Sequence, residues 1–353
     1  MHAAKRLPVV TVCPLLGKSG MTSLLLAGDV MLGRGVSQAM QRMHPDEPWG
    51  DLLPLFQSAD FRLINLESPI TGTTKPSPFR KLDHFRAEPI PALLALRSAR
   101  INACSLGNNH ILDYESPGLL DTVQYLENER IKYAGAGTDM KKARAPAFVD
   151  LGPGRGKIAV LSLTDQDPIA PVHESEPGVN YFPIDLDASS LAWLDRSIDE
   201  SREKGASLVI LSLHWGSTMT ERPPSAFQRF AHAAIERGVD VIHGHGAHIF
   251  QGVEVFRGKP IFYDCGDLID DYGVNPVLRN DWSFLFMLDF DENRLRNLKL
   301  VPVQLGYGRA RLAREPEREL IMNRMISLSR EFGTNLQPQG EFLVLRSAAA
   351  KAA

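Results

Sequence analysis

The chain has 353 residues, 44% hydrophobic and 23% charged, an ordinary globular composition with length for one large domain or two small ones. Its 39 basic and 42 acidic residues leave a net charge of −3, so no basic excess points to nucleic acid or an anionic membrane as partner. The three cysteines, Cys13, Cys104 and Cys265, are odd in number and widely spaced. They give no disulfide framework and no CxxC zinc knuckle, and they suit a reducing, cytoplasmic compartment.

Residues 1–20 carry Lys5-Arg6 and then a short apolar run, Leu7 to Leu16, interrupted by two prolines and Thr11. The run is too short to span a bilayer, and no small-residue cleavage site follows it cleanly. Residues 1–21 therefore read as a loose leader ahead of a soluble α/β domain.

Strand signals recur at Ser23 to Ala27, Phe61 to Asn65, Asn102 to Leu106, Lys132 to Gly135, Lys157 to Leu163, Ser207 to Leu213 and Val239 to Ile242. Each is an apolar run closed by polar or glycine residues, the form of a buried strand. Helical spacing appears at Leu119 to Glu129, Leu191 to Lys204 (closed by Gly205) and Ser225 to Arg237 (closed by Gly238). Beyond residue 250 the pattern becomes β-rich, with antiparallel hairpins expected over 254–265 and 283–304. A helix is predicted from Glu315 to Phe332, within a C-terminal helix and tail over 313–353. No repeat or low-complexity linker divides residues 22–312.

Polar residues stand where five of these strands end: Asp29, Glu67, Asn109, His214 and His245, with His248 three residues further on. In open α/β sheets, ligands bind beyond the carboxyl ends of the strands, so loops distant in sequence converge there. Carboxylates, a carboxamide oxygen and imidazoles suit one or two divalent ions of Mn, Zn, Fe or Co, with no organic cofactor called for. Taken singly, each residue has a plain explanation as a turn, a cap or a packed histidine. Their recurrence at successive strand ends points to a metal site.

The motifs carrying this pattern are Gly28-Asp-Val-Met-Leu-Gly-Arg34, Asn65-Leu-Glu-Ser-Pro-Ile-Thr71, Ser105-Leu-Gly-Asn-Asn-His-Ile-Leu-Asp-Tyr114, His214-Trp-Gly216, His243-Gly-His-Gly-Ala-His248 and Gly258-Lys-Pro-Ile-Phe-Tyr-Asp-Cys-Gly-Asp267. Together they resemble the bacterial capsule-synthesis (CapA, poly-γ-glutamate synthesis) family. The resemblance implies a calcineurin-like metallophosphoesterase fold, a central β-sandwich of mixed sheets flanked by helices, as the catalytic domain over 22–312. It implies that Glu67 bridges two metals, with Asn109, His214 and His245 on one and Asp29 and His248 on the other. His110 is the implied acid/base group. The chain departs from the phosphoesterase pattern at Met31, where that pattern has a histidine ligand, and this weakens the Asp29 side.

Two chemistries fit such a site. A metal can orient a phosphate for hydrolysis, or it can acidify a Cα–H so that one group removes a proton and another returns it from the opposite face. The weakened metal half and the resemblance to soluble peptide epimerases, including those of lasso-peptide pathways, favour L-to-D epimerisation of a peptide or polyamino acid, a ribosomal precursor peptide among them. A phosphoester hydrolase and a capsule or poly-γ-glutamate synthesis factor are the alternatives. His110, Asp267 and Cys265 are the proton-handling candidates. Arg34, Lys81 and Arg86 are candidates for gripping a substrate carboxylate, since a guanidinium can do so bidentately. No membrane or nucleic-acid partner is expected.

Overall fold

The computed structural model describes residues 21–78, 83–166, 174–184, 186 and 188–345, with backbone alone at 188 and 189. The first part alternates strand and helix: β1 (Met21–Val30), α1 (Arg34–Met40), α2 (Leu53–Ser58), β2 (Phe61–Leu66), α3 (Pro89–Ser98), β3 (Ala103–Ser105), α4 (Glu115–Asn128) and β4 (Lys132–Ala134). Next come β5 (Ala136–Gly137), α5 (Met140–Ala143), β6 (Ala147–Asp150), β7 (Lys157–Thr164), β8 (Gly178–Val179), α6 (Ala188–Glu203), β9 (Ala206–His214), α7 (Ser225–Arg237) and β10 (Val241–His245). The remainder is β11 (Val253–Phe256), β12 (Lys259–Phe262), β13 (Asp267–Ile269), β14 (Trp282–Asp291), β15 (Arg294–Gly306), β16 (Arg309–Leu312), α8 (Glu317–Arg330), β17 (Leu336–Gln339) and β18 (Phe342–Leu345).

These strands build two mixed sheets. The larger runs β17-β18-β15-β14-β1-β2-β3-β4, with β13 on β1 and β16 on β15. Its β1 to β4 are parallel, and β14 joins β1 antiparallel. The smaller runs β11-β12-β10-β9-β7-β6, parallel in its centre and antiparallel at both edges.

Period-two alternation sorts the side chains into layers. Leu24, Leu26, Phe61 and Leu63 of the larger sheet meet Ile158, Val160, Leu208 and Ile210 of the smaller in one apolar core. Leu25, Ala27, Ile64 and Leu66 face the other way, against Phe56, Leu96 and Leu119 from the helices. Val209, Leu211 and Leu213 pack against Leu194 of α6 and Phe230 and Ala234 of α7. The order of layers is helices, sheet, sheet, helices. This is the mixed α/β architecture expected from the sequence.

Several details differ from the sequence reading. Asp29, His214 and His245 lie inside β1, β9 and β10 rather than after them, because the inward face of each strand turns polar while its hydrogen-bond ladder continues. α8 is followed by the β17–β18 hairpin, which pairs with β15, so the C-terminal segment completes the larger sheet instead of trailing as a tail. The helices α1 and α3 were not signalled. The residues assigned to a leader are outside the described residues up to position 20, and Met21 already belongs to β1.

One irregularity decides where Asp29 points. Leu26 pairs with Leu63 and Asp29 with Asn65, so three steps on β1 oppose two on β2. This bulge returns Asp29 to the inter-sheet side, where unbroken alternation would have turned it toward the helices. Asp29 N donates to Gly266 O at 3.0 Å. A Cβ on Gly28 would lie 1.7 Å from that oxygen, so only glycine lets the two segments approach. Gly28→Ala should therefore cost at least about 2 kcal/mol in urea unfolding. A midpoint equal to wild type would show that the approach does not constrain the fold.

Candidate metal centre

Along the strands, the residues facing between the sheets change from apolar to polar at one end. The series are Leu208, Ile210, Ser212, His214 on β9; Val241, His243, His245 on β10; and Phe61, Leu63, Asn65, Glu67 on and just past β2. Pairing aligns His214 with His245, and Asp29 with both Asn65 and Asp267. Asp29, Glu67, His214, His245 and Asp267 are all at most 1% exposed, so their charges meet away from water.

Two donor groups converge here. Asp29, His214 and His245 form one, and Asp29, Glu67, His248 and Asp267 form the other; within each, one donor atom per residue lies within 4.8 Å of the rest. Glu67 Oε1 is 3.8 Å from His214 Nε2 and 3.9 Å from His248 Nε2, which places it between the groups, although Asp29 is the member common to both. Asp29 Oδ2 is buried and has no hydrogen-bond partner among the described residues. An orphaned buried carboxylate oxygen beside imidazoles and further carboxylates fits a divalent cation.

The surroundings orient these donors. Asn65 Nδ2 donates to Asp29 Oδ1 at 2.7 Å, and Asn108 Nδ2 donates to Asn65 Oδ1 at 3.1 Å. His243 Nε2 lies 2.8 Å from Ala27 O and must donate to it. Its Nδ1 then accepts from Ser212 Oγ at 2.9 Å, and Ser212 Oγ accepts from His245 Nε2, also at 2.9 Å. This relay leaves the lone pair on His245 Nδ1, the atom 3.4 Å from Asp29 Oδ1. Asp264 accepts from Ala247 N and Gly266 N, both at 2.7 Å, and so ties the His248 loop to the start of β13. His248 adopts a left-handed φ of 60°, and its Nδ1 is 2.8 Å from Asp267 Oδ1.

Burial governs the proton equilibria. Asp29 is raised well above the usual carboxylate range by desolvation, reinforced by Asp267 and Asp264 against the pull of His248. Asp267 is raised likewise, by desolvation and then by Asp270, Glu67 and Asp264. Burial lowers His243 to about 4, and burial with the neighbouring His243, His214 and His248 holds His245 well below its ordinary value. At His248 burial favours the neutral ring, but Glu67 and Asp29 outweigh it and the pKa rises.

His110 stands at the edge of this cluster. Its Nδ1 is 2.7 Å from Asp113 Oδ2, and its Nε2 faces Glu67 Oε1 at 3.9 Å. Phe85 stacks on the ring at 3.7 Å and 13°, and Phe85 N donates to the same Asp113 oxygen at 2.6 Å. The carboxylate holds the proton on Nδ1 and leaves Nε2 to exchange one. A cavity of about 820 Å³ opens here, lined by Asn109, His110 and His248 together with Phe85 and Tyr272.

The remaining expected site residues are placed less simply. Cys265 is withdrawn as a proton carrier: it is fully buried in the inter-sheet core, and desolvation, Asp264 and Asp29 together hold its thiol protonated. Arg34 sits behind the cavity wall, ion-paired to Asp271 at 2.8 Å and Asp83 at 3.0 Å. The Arg86 guanidinium is engaged by Glu88 and the Thr71 carbonyl, and Arg86 is not among the residues lining the cavity. Lys81 lies outside the described residues. Asn65, Asn108, Asp113 and Ser212 were not singled out. Three of them lie within the motif stretches, and Asn65 and Ser212 each stand two positions before a candidate ligand, Glu67 and His214, which was the available signal.

Residues 23–272 match the model of the family described as bacterial capsule synthesis protein PGA_cap. The chain belongs to this family. Probable polyglutamine synthesis accessory proteins of two Mycobacterium tuberculosis strains are 32% identical, over 90% of this chain and 93% of theirs. The capsule biosynthesis protein CapA of Bacillus anthracis is 26% identical, over 81% and 68%, and the PGA biosynthesis protein CapA of Bacillus subtilis 27%, over 80% and 71%. One solved chain is similar at a TM-score of 0.40 and 9% identity, over 81% of this chain and 100% of its own, too distant a likeness to assign a fold. No helix among the described residues is long and apolar enough to cross a membrane.

The crowding of carboxyls predicts how the metal-free protein responds to pH. A carboxyl whose pKa is raised by folding favours the fold below about pH 4, and that benefit is lost as pH rises through the folded value, about 6 for Asp270 and about 7 for Asp264. His248, also raised, loses its contribution above its ordinary value, whereas His243 acts in the opposite sense between about pH 4 and 6.5, and His245, lowered too, acts in the same sense as His243 below its ordinary value. The raised groups outnumber the lowered ones. Chelator-treated protein should therefore melt higher near pH 5 than near pH 8, and Mn²⁺ or Zn²⁺ should raise the midpoint more at pH 8. Equal midpoints at both pH values, unmoved by metal, would contradict a cation-requiring cluster.

Proposed function

We propose that this chain is a metal-dependent acid–base enzyme that acts on an anionic polyamino-acid chain during capsule-type polymer synthesis. The observation that carries the reading is the His110–Asp113 pair, which aims Nε2 at Glu67 on the edge of a buried donor cluster. The relatives, a probable polyglutamine synthesis accessory protein and the capsule and PGA biosynthesis proteins CapA, support the substrate class.

Asp29, His214 and His245 would hold one ion, and Asp29, Glu67, His248 and Asp267 a second, with Asn109 beside them at the cavity wall. Such a divalent ion supplies Lewis acidity toward a carbonyl, carboxylate or phosphoryl oxygen. It also answers a charge problem, since a site of buried carboxylates repels an anionic polymer unless cations intervene. His110 Nε2 takes or returns the proton, Asp113 fixes the tautomer, and Phe85 holds the ring plane. The mixed two-sheet sandwich with donors at one end suits the calcineurin-like metallophosphoesterase architecture that the motifs resemble.

Cα epimerisation ranks behind this reading. It needs a second proton carrier opposite His110, and Asp267 is engaged by His248 while Cys265 is sealed in the core.

The test uses purified protein, Mn²⁺ and poly-γ-glutamate oligomers, with chain length followed by mass spectrometry. His110→Gln and Asp113→Asn should each lower turnover by about 10² or more while the metal content stays at the wild-type level. Turnover by His110→Gln at the wild-type rate would remove His110 from the chemistry. Asp29→Asn should lose both bound metal and turnover. If elemental analysis finds full metal in that variant, the assignment of Asp29 is wrong.

A further inference from the structure

A second concavity lies along the side of the sandwich, away from the metal centre. The larger sheet ends at β4 and the smaller at β6, and these two edge strands lie beside each other. Between them is a groove of about 560 Å³ whose lining includes Arg130, Lys132 and Lys142, with Tyr133 and Phe148 as aromatic walls. The one carboxylate in the lining, Glu127, accepts the Tyr133 hydroxyl at 2.8 Å. No ion pair among the described residues engages Arg130, Lys132 or Lys142, although nearby cations are paired: Arg97 with Glu129, Arg144 with Glu174 and Lys204 with Glu200.

A lone lysine on an edge strand commonly guards against strand pairing. Three cations outside any ion pair among the described residues, set against one carboxylate around the same groove, go further in a chain whose net charge is −3. Their positive field is local, and it would draw an anionic partner to this edge rather than to the surface at large. Among the described residues no strand pairs with β4 on the side away from β3, so an extended polyamide can add hydrogen bonds there.

We propose that this groove is an accessory site that holds an extended segment of an anionic polyamino acid, with its pendant carboxylates on Arg130, Lys132 and Lys142. The choice of occupant rests on the polymer reading given above; the groove and its charge do not. The site keeps a long chain attached to the enzyme while another part of it reaches the metal centre. It therefore acts on long chains and not on short ones.

The experiment measures binding of fluorescent poly-γ-glutamate of about twenty residues to the full chain at two salt concentrations, with turnover of a di- or triglutamate in parallel. Arg130→Gln/Lys132→Gln/Lys142→Gln should weaken polymer binding by about tenfold and flatten its salt dependence, leaving short-substrate turnover unchanged. The charge-reversed triple Glu variant should lose binding further. Circular dichroism and the melting midpoint check that both variants fold. Unchanged affinity in the folded variants, equal affinity for neutral polyglutamine, or tighter binding of single-stranded DNA of equal charge would overturn the proposal. Absence of turnover on any glutamyl substrate would instead count against the proposed function, and the groove's binding would still be read on its own.

Discussion

Asp29, Glu67 and Asp267 share a space closed to water, with donor atoms within 4.8 Å of one another. Two like charges about 4 Å apart repel by about 4 kcal/mol at the effective dielectric of a protein surface, and more strongly deeper inside. The fold tolerates this only with protons or cations in place, and the directions of the pKa shifts express the first solution. The raised pKa of His248 belongs with that first solution, whereas the neutral rings of His243 and His245 and the amide chain through Asn65 and Asn108 suit the second. Stability at this end of the molecule and the metal binding proposed for it thus trace to one physical origin.

The sandwich supplies that constraint by changing character along its length. One end of the inter-sheet space is filled by Leu, Ile and Phe, and the other by Ser, Asn, His and carboxylates, on the same faces of the same strands. Rigid ladders hold the donors at His214, His245 and Asp29, as a precise site demands. His110 comes instead from a loop, but its ring is stacked and hydrogen-bonded, which restores the same precision.

Much of this was legible in the sequence. Apolar runs ended by Asp29, Glu67, His214 and His245 located the parallel strands and the end where these donors converge, because strand period and strand-end chemistry are local properties. The bulge at β1 was not legible, since it exists only in the pairing with β2. The roles of Asn65, Asp113 and Ser212 were hidden for the same reason: each is defined by a partner distant in sequence or on a turned loop. Arg34 and Arg86 looked like substrate clamps because the sequence does not reveal that Asp271 and Glu88 already engage them. The β17–β18 hairpin was missed because Leu336-Gln-Pro-Gln339 carries little of the apolar alternation that marks a strand.

The contact between Gly28 and Gly266 joins segments more than two hundred positions apart, and Asp29 meets its partner Asp267 only through it. Contacts of such separation form late, after the loop-closure entropy of the intervening chain has been overcome. During synthesis, therefore, the amino-terminal donors emerge long before the segment that completes their cage. An unfinished chain presents Asp29 and Glu67 as ordinary solvated carboxylates with weak hold on any cation. On the metal reading proposed above, affinity for the ion would arrive in one late step, and retention of the ion would report that the sandwich has closed.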